Sequence, residues 1–192
     1  MSGRVLSGVA ERIDGVIRIE TAPLEQTAPI LMAKMRSVYP HHEVFGQYCT
    51  VNEYVDCPPD ELFGYLANAR SLEEWTYTLR GFTPTDEPGL WLAYDRLLPQ
   101  TQIFTRAVAN ARARTVHHHC AWESIHLWMM YLMRVIDAQA VVDKPGSVVV
   151  WTNCRHPLHR RNPGHRLELN NLKMIAEYRH RNGLPMTPDW MK

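Results

Sequence analysis

The chain has 192 residues, which is enough for one domain with a well-covered core and too short for two ordinary domains joined by a linker. Hydrophobic residues make up 45% of the sequence and charged residues 21%, and this balance excludes a largely disordered protein. The formal net charge of +1 gives no reason to expect nucleic acid or an anionic membrane as a partner.

Cysteine usage and the length of the apolar runs indicate the compartment. The four cysteines form no CxxC pair and are too sparse for a small secreted disulfide scaffold, so we expect reduced thiols. The first residues, "MSGRVLSGVAERID", contain only a short apolar patch and do not fit a secretory signal. No apolar run reaches the roughly 20 residues that a membrane-spanning helix needs. The sequence therefore predicts a soluble, cytoplasmic protein.

Three parts of the chain differ in their patterns. Residues 1–46 carry mixed strand and helix signals, and we interpret them as an N-terminal extension that packs on the domain or reaches a second copy of the chain. Residues 47–183 are predicted to form the main domain. Residues 184–192 are predicted to be a loosely attached C-terminal tail.

Within the main domain, "QYCTVNEYVDC" alternates as a strand does, and "CPPDELFGYLANAR" places Pro59 where a helix begins. A second short helix or turn in "SLEEW" then leads into another strand. Five further strands are separated by short turns, and such close spacing favours an antiparallel meander: "LWLAYDRLL", "TQIFTRAVA", "RTVHHHCAW", "LWMMYLMRVIDA" and "SVVVWTNCRH". A long helix is predicted from "NPGH" onward, because Leu169, Leu172 and Ile175 recur at helical spacing.

This order of elements resembles that of the START/Bet v 1-like helix-grip proteins, also called the SRPBCC superfamily. The similarity is carried by "VNEYVDCPPDELFGYLANARSLEEWTYTLRGF", where the family's positions are matched by Pro58, Pro59, Phe63, Leu66 and Trp75. It covers roughly residues 44–182. It implies an α+β fold in which a curved antiparallel sheet of about seven strands grips the long helix around a ligand cavity, with two short helices after the first strand. The chain resembles the polyketide cyclase/dehydratase branch, but the superfamily also includes lipid carriers, hormone receptors and oxygenase domains, so the fold does not fix the activity.

Two strands mix histidine with cysteine, in "TVHHHCAW" and "WTNCRHP". Side chains alternate along a strand, so His118, Cys120 and Trp122 share one face of the first of these strands. A short turn after this strand would pair His118 with Tyr131, and Cys120 with Met129. We predict that this mostly apolar face forms the cavity wall.

The last strand has apolar residues on both faces. We expect the face that stays uncharged until its end to point inward, and this face contains Val148, Val150, Thr152, Cys154 and His156. Each histidine-containing strand then offers an inward His/Cys pair two residues apart. Trp128 and Trp151 fall on the outer face, where they could form the interface of a homodimer.

The predicted function is binding of a mostly apolar small molecule, free or carrier-bound, with cyclase- or dehydratase-type acid–base catalysis and no cofactor. The predicted catalytic residues are His118, Tyr131 and, at the cavity mouth, His156, because a neutral imidazole suits proton transfer near pH 7. The predicted ligand-binding residues line the same space: Trp75, Cys120, Trp122, Met129, Met133, Thr152, Cys154, Leu169 and Leu172. The basic stretch "RHPLHRRNPGH" could hold an acidic group of the substrate or simply be a solvated loop.

Two alternatives stay open at this point. A non-catalytic carrier or sensor would use the same pocket. A zinc or iron enzyme would use His118, Cys120, Cys154 and His156 as ligands, since imidazole and thiolate bind zinc well. The strand between the two pairs would separate them by roughly 9–10 Å, so one ion could join them only if the sheet were strongly curved.

Overall fold

The structure, a computed structural model, describes residues 48–76, 79–95, 101–154 and 164–192. The chain divides between Gly46 and Gln47 into two units, and the second unit contains all of the described residues. The predicted N-terminal extension, residues 1–46, therefore lies outside the described residues.

Seven antiparallel strands form one sheet: β1 (Tyr48–Val55), β2 (Leu79–Pro84), β3 (Trp91–Asp95), β4 (Gln102–Asn110), β5 (Thr115–Ala121), β6 (Met129–Asp137) and β7 (Ser147–Cys154). Their order across the sheet is β1-β7-β6-β5-β4-β3-β2. The six strands from β2 to β7 form a meander, and β1 pairs antiparallel with β7. This is the α+β arrangement that the sequence predicts.

Among the described residues, four α-helices accompany the sheet: α1 (Pro59–Ala67), α2 (Leu72–Trp75), α3 (Ala138–Val142) and α4 (Gly164–Arg181). Helix α1 begins at Pro59 because the first helical position needs no backbone N–H and proline already has a helical φ angle. The sequence did not predict α3, which starts where the Asp137 side chain accepts a hydrogen bond from the Gln139 N–H. In the described part of the chain, no helix combines the length and the apolar character that crossing a membrane requires.

The hydrophobic core lies between one face of the sheet and helices α1, α2 and α4. Helix α4 packs along β1 and also contacts α2. Its buried residues Leu169, Leu172 and Ala176 belong to the same apolar cluster as Val116, Met133 and Val149 of the strands. We call this the inner face of the sheet.

Residues 184–192 pack on the domain, so the prediction of a loosely attached tail is wrong. Met191 is only 2% exposed, and its carbonyl oxygen accepts a hydrogen bond from Asn68 Nδ2 at 3.0 Å. The guanidinium carbon of Arg70 lies 5.4 Å from the ring centroid of Trp190. Met186 is also buried, so burial of apolar side chains holds the tail on the domain. The tail sequence has no regular apolar spacing from which this burial could be predicted.

Gly146, in the turn between α3 and β7, allows a close approach of two backbone segments. Its φ is +108°, and a Cβ added there would lie 2.8 Å from the carbonyl oxygen of Val55 and 3.1 Å from the hydroxyl of Tyr54. We therefore expect Gly146→Ala to lower the free energy of unfolding by about 1–3 kcal/mol, measured by urea denaturation. The matched control is Gly64→Ala, because Gly64 is exposed within α1 and nothing lies within 4 Å of its added Cβ. Alanine at position 64 should stabilise the protein by about 0.5–1 kcal/mol, and a Gly146→Ala variant as stable as the original protein would contradict the expected strain.

Candidate ligand-binding site

The inner face of β5 and β6 carries the first predicted group of site residues. His118 pairs with Tyr131 and Cys120 pairs with Met129, which confirms the predicted register. His118 and Cys120 are buried, whereas His117 and His119 on the opposite face are partly exposed. The alternation of side chains along β5 is therefore the predicted one.

The predicted orientation of β7 is wrong. Tyr131 pairs with Asn153 and Met133 pairs with Trp151, and residues paired in this way point to the same face. Trp151 is accordingly only 2% exposed, whereas the Thr152 hydroxyl forms a 2.9 Å hydrogen bond with that of Thr50 at an exposed position. Thr152 is thus not on the inner face, and Trp151 is not available for the predicted dimer interface.

Two predicted residues of this strand region lie partly or wholly outside the described residues. Cys154 pairs with Tyr48 in the backbone register, but its side chain lies outside the described residues. His156 and the basic stretch that contains it lie outside them as well. The predicted role of His156 and the four-residue metal centre therefore stay predictions.

Aromatic side chains fill the space between the sheet and α4. Trp75 and Trp151 meet edge to face, with ring centroids 5.4 Å apart. Tyr131 and Trp151 meet in the same way at 6.0 Å. Leu169 and Leu172 of α4 are fully buried against this group. Met133 is also buried and Met129 is partly buried, so the predicted ligand-binding residues Trp75, Met129, Met133, Leu169 and Leu172 do lie in one apolar cluster.

Trp122 behaves differently from the other predicted wall residues. It follows the end of β5 and is 39% exposed. Its ring packs edge to face on Trp128, with centroids 5.3 Å apart, rather than lying buried with His118 and Cys120. The paired register of β5 and β6 ends at Cys120 and Met129, so the pleat that would turn Trp122 inward does not extend to it.

His118 is the unusual polar residue of the inner face. It is fully buried, and among the described residues neither Nδ1 nor Nε2 has a hydrogen-bond partner. Burial, followed by the nearby His119 and His117, lowers the pKa of His118 to about 4. The ring is therefore neutral near pH 7 and offers one donor and one acceptor nitrogen that no described residue uses.

Tyr131 and Cys120 are both held in their protonated forms. Burial, with further contributions from Cys120, Glu168 and Asp95, raises the pKa of Tyr131 above its ordinary value. Burial raises the pKa of the Cys120 thiol to about 12, although the Thr105 hydroxyl 3.0 Å away acts in the opposite direction. A thiol that stays protonated is a poor nucleophile. The site can thus supply a neutral imidazole and a phenolic proton donor on neighbouring strands.

Comparison with solved structures decides the fold. The chain is similar to the protein XoxI from Bacillus cereus, with a TM-score of 0.52, 14% identity, and coverage of 67% of this chain and 94% of that one. It is also similar to the Zhui aromatase/cyclase from Streptomyces sp. R1128, with a TM-score of 0.52, 13% identity, and coverage of 69% and 94%. An uncharacterized protein from Bacillus thuringiensis gives a TM-score of 0.51 at 13% identity, with coverage of 67% and 98%. The chain has the helix-grip fold.

No protein-family model matches the sequence, and no curated protein matches it. The helix-grip similarity is therefore one of architecture, and the chemistry of a site depends on the side chains that this chain places there. Sequence reasoning found His118 and Tyr131 on the helix-grip inner face but missed Trp151. The signal that could have found Trp151 is the register of β6, because an inward Met133 requires an inward partner on β7.

Proposed function

We propose that this protein binds a small, mostly apolar molecule with a carbonyl or hydroxyl group between the inner face of the sheet and α4. The observation that supports this proposal is the fully buried His118, whose two ring nitrogens have no hydrogen-bond partner among the described residues. A buried polar group without a partner costs about 1–3 kcal/mol. A ligand oxygen or hydroxyl that hydrogen-bonds to the imidazole would remove this cost, whereas a purely apolar ligand would not.

The walls of the proposed site are apolar, which suits a ligand with a single polar end. Trp151 contacts both Trp75 and Tyr131 edge to face in the space that such a ligand would enter. These side chains would have to move when the ligand binds. Because two of them are tryptophans, binding should change the intrinsic fluorescence of the protein, and this change provides a direct readout.

We further propose that the same site catalyses a cyclase- or dehydratase-type acid–base step. The support is the pairing of His118 with Tyr131, whose raised pKa keeps its phenol protonated as a donor to a carbonyl oxygen. Neutral His118 would accept the proton that leaves the substrate carbon. A pKa of about 4 makes His118 a weak base in the ligand-free protein. Ligand binding needs only the hydrogen-bonding nitrogens of His118, whereas catalysis also needs it to take up a proton.

A matched pair of ligands tests the binding proposal. The probes are 2-acetylnaphthalene, which carries a carbonyl group, and 2-ethylnaphthalene, which lacks it. We expect the ketone to bind about tenfold more tightly, the equivalent of about 1.4 kcal/mol for one hydrogen bond to a buried group, in titrations followed by tryptophan fluorescence. In His118→Phe this preference should disappear, because the ring keeps its bulk but loses both nitrogens.

The control is His117→Gln, which alters the neighbouring histidine on the opposite face and should keep the tenfold preference. Equal affinities of the original protein for the two probes would count against His118 as the recognition group. Failure of both probes to change the fluorescence would count against a ligand site between the sheet and α4.

A further inference from the structure

Three side chains with metal-binding atoms meet where β1 leads into α1. Cys57 lies in the turn after β1, Glu61 in the first turn of α1, and His180 in the last turn of α4. His180 Nδ1 is 3.1 Å from Glu61 Oε2, and Cys57 Sγ is 4.0 Å from the same oxygen. The three ligand atoms all lie within 4.8 Å of one another.

This set of atoms matches the ligands that zinc prefers. Zinc binds thiolate sulfur, imidazole nitrogen and carboxylate oxygen at about 2.0–2.3 Å, so tetrahedral ligand atoms lie about 3.3–3.7 Å apart. The two distances from Glu61 Oε2 fall on either side of this range. The side chains of His180 and Glu61 are 37% and 47% exposed and can adjust, while Cys57 is only 1% exposed and therefore fixed. Small rotations of the two exposed side chains would complete the geometry.

The charges around Cys57 favour a cation. Three carboxylates, those of Glu61, Asp56 and Glu177, act electrostatically on the Cys57 thiol. Of these three carboxylates, Glu177 forms ion pairs with Lys173 at 3.0 Å and with Arg181 at 2.5 Å, and Lys173 also lies 3.8 Å from Glu53. A divalent cation bound to Cys57 as the thiolate would displace the thiol proton, so its binding should release protons.

We propose that Cys57, Glu61 and His180 form a zinc site with three protein ligands and an open fourth position. Glu61 and His180 also line a surface groove of about 700 Å³, together with Gly183, Leu184 and Met186. A water molecule or a group of a small molecule in this groove would complete the coordination. Zinc sites with three protein ligands and one exchangeable position are the kind that activate a bound water. The site shares no residue with the proposed His118 site, so it goes beyond the proposed function.

Cobalt substitution of the full chain, purified without an affinity tag, tests this proposal. We expect the protein to bind about one Co²⁺, with a thiolate-to-cobalt charge-transfer band in the near ultraviolet and release of protons, and Zn²⁺ should displace the cobalt. Cys57→Ser should abolish the charge-transfer band. His180→Gln and Glu61→Gln should each weaken zinc affinity, measured against a competing chelator, by at least about tenfold.

Two control variants separate this site from other thiols and imidazoles. Cys120→Ala and His117→Gln should keep both the charge-transfer band and the zinc affinity, because these residues lie on β5. The proposal is overturned if the original protein gives no charge-transfer band, or if the band survives in Cys57→Ser. It is also overturned if His180→Gln binds zinc as tightly as the original protein. This variant changes only a partly exposed side chain and leaves the core intact.

Discussion

Replacing Trp151 with alanine is expected to lower the free energy of unfolding by about 3–5 kcal/mol. The indole is 2% exposed and contacts both Trp75 and Tyr131 edge to face, so truncation removes a large buried surface and leaves a cavity in the middle of the core. Urea denaturation followed by circular dichroism measures the loss. The magnitude follows from the inward orientation of Trp151 on β7.

The matched control for this substitution is Trp128→Ala. Trp128 is 44% exposed and precedes β6, so its removal should cost about 1 kcal/mol or less. The sequence predicts both tryptophans on the outer face. A much larger loss of stability in Trp151→Ala than in Trp128→Ala would therefore show that Trp151 lies on the inner face. Similar losses for the two variants would contradict the inward orientation of Trp151 on β7.

Lowering the pH from 7 to 4 should cost the protein about 3 kcal/mol of unfolding free energy through His118 alone. The pKa of His118 falls from an ordinary 6.5 to about 4 in the folded state. Between these values the unfolded chain takes up a proton that the folded protein does not, so stability is complete above about pH 6.5 and is lost as the pH falls toward 4. Below about pH 4 both states are protonated, and His118 adds no further loss.

Urea denaturation at pH 7, 5.5 and 4 checks this expectation in two variants. In His118→Phe the part of the pH dependence that belongs to His118 should vanish, whatever the absolute stability of the variant. In His117→Gln it should remain, because that ring is partly exposed on the other face of β5. An unchanged pH dependence in His118→Phe would mean that the buried imidazole titrates normally.

The register of β5 and β6 could be predicted because two constraints agree there. The short turn between the strands allows few pairings, and alternation along β5 separates His118 and Cys120 from His117 and His119. On β7 no such agreement exists, since the run of valines makes both faces apolar. The orientation of β7 is decided by its neighbour β6, where the inward Met133 and Tyr131 require inward partners.

The candidate sites were predictable only in part for a related physical reason. A face of one strand can be derived from its own sequence, and this placed His118 on the inner face. That no described residue hydrogen-bonds to its ring depends on everything that packs around it, which local patterns do not reveal. Cys57, Glu61 and His180 come together only because the end of β1, the start of α1 and the end of α4 lie at the same place, and His180 is far from the other two in the chain.

The pairing of β1 with β7 has a consequence for the order in which the chain can assemble. Val55 lies opposite Ser147 and Tyr48 lies opposite Cys154. The backbone groups of β1 that face β7 can therefore form their hydrogen bonds only after β7 has been synthesised. During synthesis on the ribosome, β1 is exposed as a lone edge until almost the whole domain has emerged. Closing so long a loop makes folding slow and leaves that edge open to pairing with other chains in the meantime.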